Sequence, residues 1–334
     1  MGKHDVKLHE GCVKFMEINY TPETRMQGAF PHIRKCGAVS PCGESSPFVW
    51  RDPQNHGKET LMRLELLDPT RGTDPSHPTV AIIRNRETGE VLSRFESGCY
   101  YYSLYQEDDT VYVLGTVSMP GRLCGEEIRI FASRDLRHWA ERPLLKNPGW
   151  HYYNTSLTKG PDGYVLLLEA KQPAEYVGPN AFTLFFAVSP DLMHWTFLSY
   201  DKGFSKERYM GGPYLRYSQG WYYLVSVTEL PCERFTNYIY RTKDFETWEV
   251  GFYNPILMPS NEDRMISPYA FNLDEKKREE IRTGFISSDS DIDMCEYQGK
   301  TLITYNVGNQ LGFYYLAEAE YDGPIDDFLA SYFR

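Results

Sequence analysis

The chain has 334 residues, 41% of them hydrophobic and 15% aromatic, with 26 tyrosines and a formal net charge of −11. That is enough apolar side chain for one large domain or two ordinary ones, yet no apolar run is long enough for a transmembrane helix. The acidic balance argues against nucleic acid and against an anionic membrane, since both want a basic face; a small neutral or cationic molecule is left open, and an anionic one would need a local basic pocket.

The first residues, MGKHDVKLHEGCVKF, lack the apolar stretch of a secretory signal. The seven cysteines at 12, 36, 42, 99, 124, 232 and 295 form no CxxC pair. Reduced thiols in a cytoplasm are therefore expected, and neither a disulfide framework nor a zinc site. The eight histidines show no HExxH spacing, and no GxGxxG or P-loop pattern stands where a nucleotide fold would need it.

Along the chain, one unit recurs. Ser133-Arg-Asp-Leu-Arg-His-Trp139, Ser189-Pro-Asp-Leu-Met-His-Trp195 and Thr242-Lys-Asp-Phe-Glu-Thr-Trp248 place their aspartates at 135, 191 and 244, spaced by 56 and 53 residues. A strand-like run precedes each. Upstream, Asp108-Asp-Thr-Val-Tyr-Val-Leu, Asp162-Gly-Tyr-Val-Leu-Leu-Leu, Gln219-Gly-Trp-Tyr-Tyr-Leu-Val and Gln298-Gly-Lys-Thr-Leu-Ile-Thr each read as a hairpin turn followed by a strand. Four antiparallel strands in a unit of this length make a propeller blade. A β-sandwich would share the strand spacing, but not a repeated Asp-x-x-x-Trp at one offset.

The count predicts a single all-β domain over 1–334, a five-bladed β-propeller. Its blades fall near 46–95, 100–145, 153–200, 212–252 and 287–322, with a strand from near the N-terminus closing the ring. Residues 252–286 separate blades four and five and hold the charged run Asp274-Glu-Lys-Lys-Arg-Glu-Glu-Ile281, which reads as a short helix.

These blade motifs resemble those of the five-bladed glycoside hydrolases of families 43, 32, 68, 117 and 130, over roughly residues 44 to 320. The resemblance implies a glycosidase whose chemistry sits where the inner strands begin, around a central funnel, and whose tryptophans at 139, 195 and 248 are packing anchors. Family 43 carries an Asp opening blade one, a second Asp, and an acidic Glu before Gly-Pro. Here Gly211 stands at the acid position and Asn154 at an Asp position. Family 117 implies that a histidine can replace the acid, with His32 or His151 as the candidate.

Other carboxylates stand at funnel positions. Glu44 opens blade one, and Ser288-Asp-Ser-Asp-Ile-Asp-Met-Cys-Glu296 opens blade five. Alternation along a strand puts Asp289, Asp291 and Asp293 on one side, and acids so close shift one another's pKa. The second strands end on the same face, bringing Arg63, Glu65, Glu169, Lys171 and Glu229. Glycoside hydrolysis needs one carboxylic acid and one carboxylate. Asp291, Glu44, Glu169 and Glu229 are the catalytic candidates, Asp291 or Glu44 as base and a Glu as acid. Arg63, Glu65, Asp289, Asn154, His151, Tyr100, Lys171 and Asn309 are the substrate-binding candidates. The expected reaction is exo-acting, inverting hydrolysis of a small carbohydrate, with phosphorolysis or non-catalytic binding as the alternatives. No cofactor is implied, although a divalent cation in the funnel would be compatible with the acidic strand.

Overall fold

The computed structural model describes residues 31–52, 57–67, 80–179, 182–232, 234–309 and 311–333. Among them, twenty strands form five antiparallel four-stranded sheets around one axis. Blade one is β2 (Ser45–Asp52), β3 (Lys58–Leu67), β4 (Val80–Asn85) and β5 (Val91–Glu96). Blade two is β6 (Cys99–Glu107), β7 (Thr110–Val117), β8 (Glu127–Ser133) and β9 (Ala140–Lys146). Blade three is β10 (His151–Gly160), β11 (Gly163–Gln172), β12 (Thr183–Ser189) and β13 (Thr196–Phe197). Blade four is β14 (Met210–Ser218), β15 (Trp221–Leu230), β16 (Arg234–Thr242) and β17 (Trp248–Val250).

Blade five contains β18 (Ser288–Tyr297), β19 (Lys300–Gly308) and β20 (Tyr314–Tyr321), and its outer edge is β1 (Ile33–Ser40). One sheet thus joins the first and last described strands and closes the ring. The charged run of the intervening segment is helix α1 (Glu275–Thr283). It starts at Asp274, whose Oδ1 accepts the Lys277 N–H at 2.7 Å. Helix α2 (Ile325–Ser331) packs its Phe328 and Leu329 into the core.

The repeated turn has a local cause. In blade two the Ser133 hydroxyl accepts the Leu136 N–H at 2.9 Å, while Asp135 Oδ1 accepts the N–H groups of Arg137 and His138, each at 2.8 Å. Asp191 and Asp244 do the same in blades three and four. This network holds Leu136, Leu192 and Phe245 at φ of 58°, 64° and 61°. Trp139, Trp195 and Trp248 pack against the clusters between blades and serve as anchors.

Four blade-to-blade interfaces are apolar, such as Phe48, Met62 and Leu64 of blade one against Cys99, Tyr102 and Val113 of blade two. The interface of blade five with blade one is also ionic. Arg63 binds Glu65 at 2.9 Å and Glu318 at 2.8 Å, Arg84 joins Glu65 at 3.2 Å, and Arg86 joins Glu318 at 2.9 Å. Arg63, Glu65 and Glu318 are fully buried, so their charges hold one another in place of water.

Candidate active site

Four inner strands carry a β-bulge at the same height. Pairing jumps from Tyr100 to Ser103 in β6, from Tyr152 to Thr155 in β10, from Gly211 to Tyr214 in β14, and from Ser290 to Asp293 in β18. A bulge puts two residues against one and re-aims their side chains. The first bulge residues are Tyr101, Tyr153, Gly212 and Asp291, and three of them have positive φ: 55° for Tyr101, 49° for Gly212 and 50° for Asp291.

Glu169 lies opposite the bulge of β10, between Leu168, which pairs with Thr155, and Ala170, which pairs with Tyr152. It is 2% exposed. Its Oε2 accepts the Asn154 amide at 3.0 Å and the Gly212 backbone N–H at 2.9 Å. Both bonds end on Oε2, so Oε1 is left to carry a proton. Burial pushes the pKa up to about 8 against the pull of those two donors, and the Asp291 charge adds to the rise. Glu169 is therefore predominantly protonated at neutral pH.

Asp291 meets the same glycine. A Cβ on Gly212 would stand 2.1 Å from Asp291 Oδ1, so only glycine lets that carboxylate come so close. The Ser290 hydroxyl donates to Asp291 Oδ2 at 2.6 Å, and the Asn306 amide also favours its charged form, while burial raises its pKa. A cavity of ≈ 40 Å³ runs beneath, lined by Glu44, Asn154, Gly212, Asp291 and Asp293 among others. It is polar and has room for water. A larger cavity of ≈ 400 Å³ opens at the opposite mouth of the axis, bordered by Tyr105, Ser156, Arg216 and Glu296. Asp293 borders both, and burial lifts its pKa to about 7.

An arc of rings surrounds the carboxylates on one side. Tyr101 and Tyr153 have centroids 5.4 Å apart, Tyr153 and Phe182 4.6 Å, Phe182 and Tyr209 5.4 Å, and Tyr209 and Phe235 5.2 Å. Burial raises the Tyr209 pKa, and the charges of Glu169, Asp291 and Glu229 add to it, which places that ring beside the acids.

Of the sequence candidates, Glu44, Asn154, Glu169 and Asp291 come together here. Tyr100 is buried behind Tyr101, their centroids 6.2 Å apart. His151 and Lys171 stand at the rim on blade three. Glu229 is exposed: Ser226 is the residue opposite the β14 bulge, so Glu229 sits three residues further out than Glu169.

Five candidates lie elsewhere. Arg63 and Glu65 belong to the ionic closure. Leu64 faces the following blade whereas Leu168 faces the preceding one, so Glu65 turns towards blade five and away from the funnel. Asp289 is buried with Lys35 at 2.8 Å, the same Nζ that binds Asp263 at 2.7 Å. The β18 bulge breaks the alternation that would have aligned Asp289 with Asp291. Asn309 caps a turn, its Oδ1 accepting the N–H groups of Leu311 at 2.8 Å and Phe313 at 3.3 Å. His32 is exposed beside β1.

The rings of Phe182, Tyr209 and Phe235, and the role of Gly212, were not singled out as site features from sequence. Gly-Gly-Pro at 211–213 was the one local sign, because a glycine before Pro213 marks irregular backbone. Among the described residues no three His, Cys, Asp or Glu side chains gather as a metal-holding group. No described helix is long and apolar enough to cross a membrane.

No protein-family model and no curated protein matches the chain. Solved structures do. One titled as a glycoside hydrolase superposes with a TM-score of 0.58 at 13% identity, covering 91% of this chain and 96% of its own. A thermostable family-43 glycoside hydrolase gives 0.53 at 10%, covering 84% and 90%. The GH43 protein BlXynB from Bacillus licheniformis gives 0.52 at 15%, covering 89% of this chain and 57% of its own. The chain shares their fold. At such identities the likeness carries the five-bladed architecture, and the argument for function rests on the site.

Proposed function

We propose that the protein is a glycosidase in which Glu169 is the general acid and Asp291 the general base. The observation that carries this reading is the convergence of the two carboxyls on Gly212 with unlike environments. Glu169 is sealed and holds its proton, whereas Asp291, though burial raises its pKa too, has its charged form favoured by Ser290 and Asn306, and that charge raises Glu169 further. Environments that push two carboxyl pKa values apart are how one site supplies both an acid and a base. Glu169 Oε1 gives its proton to the leaving oxygen. Asp291, half-buried and held by Ser290, takes a proton from a water in the cavity at the funnel floor. Glu44 borders the same cavity and is the second choice for the base.

Room for a water beneath and the acid to one side favour single displacement with inversion, in keeping with the resemblance. The aromatic arc wraps blades two to four and favours a chain end over a polymer lying across the face, hence exo action. Phosphorolysis is less favoured, because Arg63 is engaged at the blade closure and is not free to hold a phosphate.

The test is a panel of aryl glycosides spanning pyranosides, furanosides and uronides, with the wild type, Glu169→Gln and Asp291→Ala. Turnover by the wild type that falls by about a thousandfold in Asp291→Ala, with the fold intact, supports the assignment. Equal turnover in all three would refute it. Product anomers followed by NMR decide inversion, and added phosphate separates the phosphorylase.

A further inference from the structure

Beside the aromatic arc, at the rim of the funnel, stand two cations without a carboxylate partner among the described residues: Arg122 and Lys171. The loop between β7 and β8 is pinned to β10 by the pairing of Gly125 with Tyr152, which sets Arg122 over blade three. Arg122 Nη1 is 3.2 Å from His151 Nε2. A guanidinium only donates, so His151 accepts there. Burial lowers the His151 pKa, Arg122 and Lys171 lower it further, and Glu126 opposes them. The electrostatic balance at this histidine is thus net repulsive to another cation.

Lys171 is two residues beyond Glu169 on β11, at the irregularity where Gln172 pairs with His151 and Ala170 with Tyr152, so its contacts and not strand alternation place its side chain. Its Nζ is 5.8 Å from the centroid of Phe182, a ring of the arc. Tyr153 spans the gap, for its hydroxyl feels the charges of both Glu169 and Arg122. Tyr153 and Phe182 thus put aromatic faces between the acid and the cations.

We propose that Arg122 and Lys171 bind the carboxylate of a uronic sugar, so that the substrate is an acidic glycoside with its ring against Tyr153 and Phe182. This rests on the glycosidase reading for the position of the scissile bond, but binding can be measured without turnover. Calorimetry on Glu169→Gln would compare D-galacturonate and D-glucuronate with D-galactose and D-glucose, using inorganic sulfate as a competitor. We expect at least one uronate to bind roughly tenfold or more tightly than its neutral counterpart, and Arg122→Ala or Lys171→Gln to remove most of that preference. Lys171→Arg should retain it. Raising salt should weaken the uronate and not the neutral sugar.

A neutral sugar bound as tightly as its acid, or a preference untouched by both variants, overturns the proposal while leaving a carbohydrate site in place. Sulfate displacing a bound neutral sugar would show a bare anion site and overturn it too. Binding of neither sugar would count against both readings. Both side chains are exposed, so their loss does not threaten the fold.

Discussion

The Glu169 carboxyl gives a prediction whose size can be worked out. Burial carries its pKa from 4.5 to about 8. A carboxyl with a folded pKa above its unfolded one holds its proton more tightly in the native state. Its contribution to stability is complete below pH 4.5, declines as pH rises, and is gone above about pH 8. Over that window the loss is on the order of 5 kcal/mol. At 2% exposure, solvent screening takes little from it. Glu169→Gln keeps an oxygen for the Gly212 N–H and the Asn154 amide but cannot ionise. The variant should therefore gain stability over the wild type progressively between pH 5 and 8, while losing about two to four orders of magnitude in activity. Urea unfolding of both proteins at half-unit pH steps gives the difference directly, and the other titrating groups cancel in it. In the wild type, kcat should fall on an alkaline limb near pH 8 as the acid loses its proton. A stability difference that stays constant from pH 5 to 9 would mean that Glu169 titrates normally, and the acid assignment would fall with it.

Gly212→Ala should cut kcat/KM by about a hundredfold or more: its Cβ would stand 2.1 Å from Asp291 Oδ1, and misplacing a reacting group is costly; circular dichroism should show the fold retained. Glu318→Gln halves the charge that holds Arg63 and Arg86 and should destabilise the closed ring by about 3–5 kcal/mol in urea. Lys35→Met leaves Asp263 and Asp289 buried without their shared cation. Its loss, again about 3–5 kcal/mol, should be larger at pH 8 than at pH 5, since burial raises the Asp289 pKa and its protonation relieves the pair; melting curves at both pH values check this.

The fold was legible because its signal is local and repeated. The Ser/Thr and Asp of each outer turn bind the same backbone N–H groups in three blades, and such a turn needs no distant partner. The helix starting at Asp274 could be read for the same reason. The site was only half legible. Glu169 and Asp291 could be chosen as carboxylates at funnel ends of strands, but alternation placed Asp289 beside Asp291, and the bulge in β18 separates them. Arg63 and Glu65 show the opposite error. A charge inside an apolar strand signals burial, yet whether it faces a funnel or a neighbouring blade depends on a one-residue difference in facing. Arg84, Arg86 and Glu318, on alternate positions of neighbouring segments, were the unused sign that these charges had partners.

The same repeat explains where chemistry can arise. Opposite the four bulges the second strands present Gly115, Glu169, Ser226 and Tyr305. Four equivalent pairs of positions thus border the funnel with quite different side chains. In blades two and three the first bulge residue is a tyrosine, which fills space and builds the arc. In blade five the tyrosine is on the second strand, bound to Asp263 at 2.9 Å, and the bulge residue is Asp291. Blade four holds Gly212 and Ser226, the pair with the least bulk. A side chain at 212 would occupy the space of the Asp291 carboxylate and crowd the N–H that holds Glu169. The two acids meet from blades three and five because blade four, lying between them, gives up its side chain.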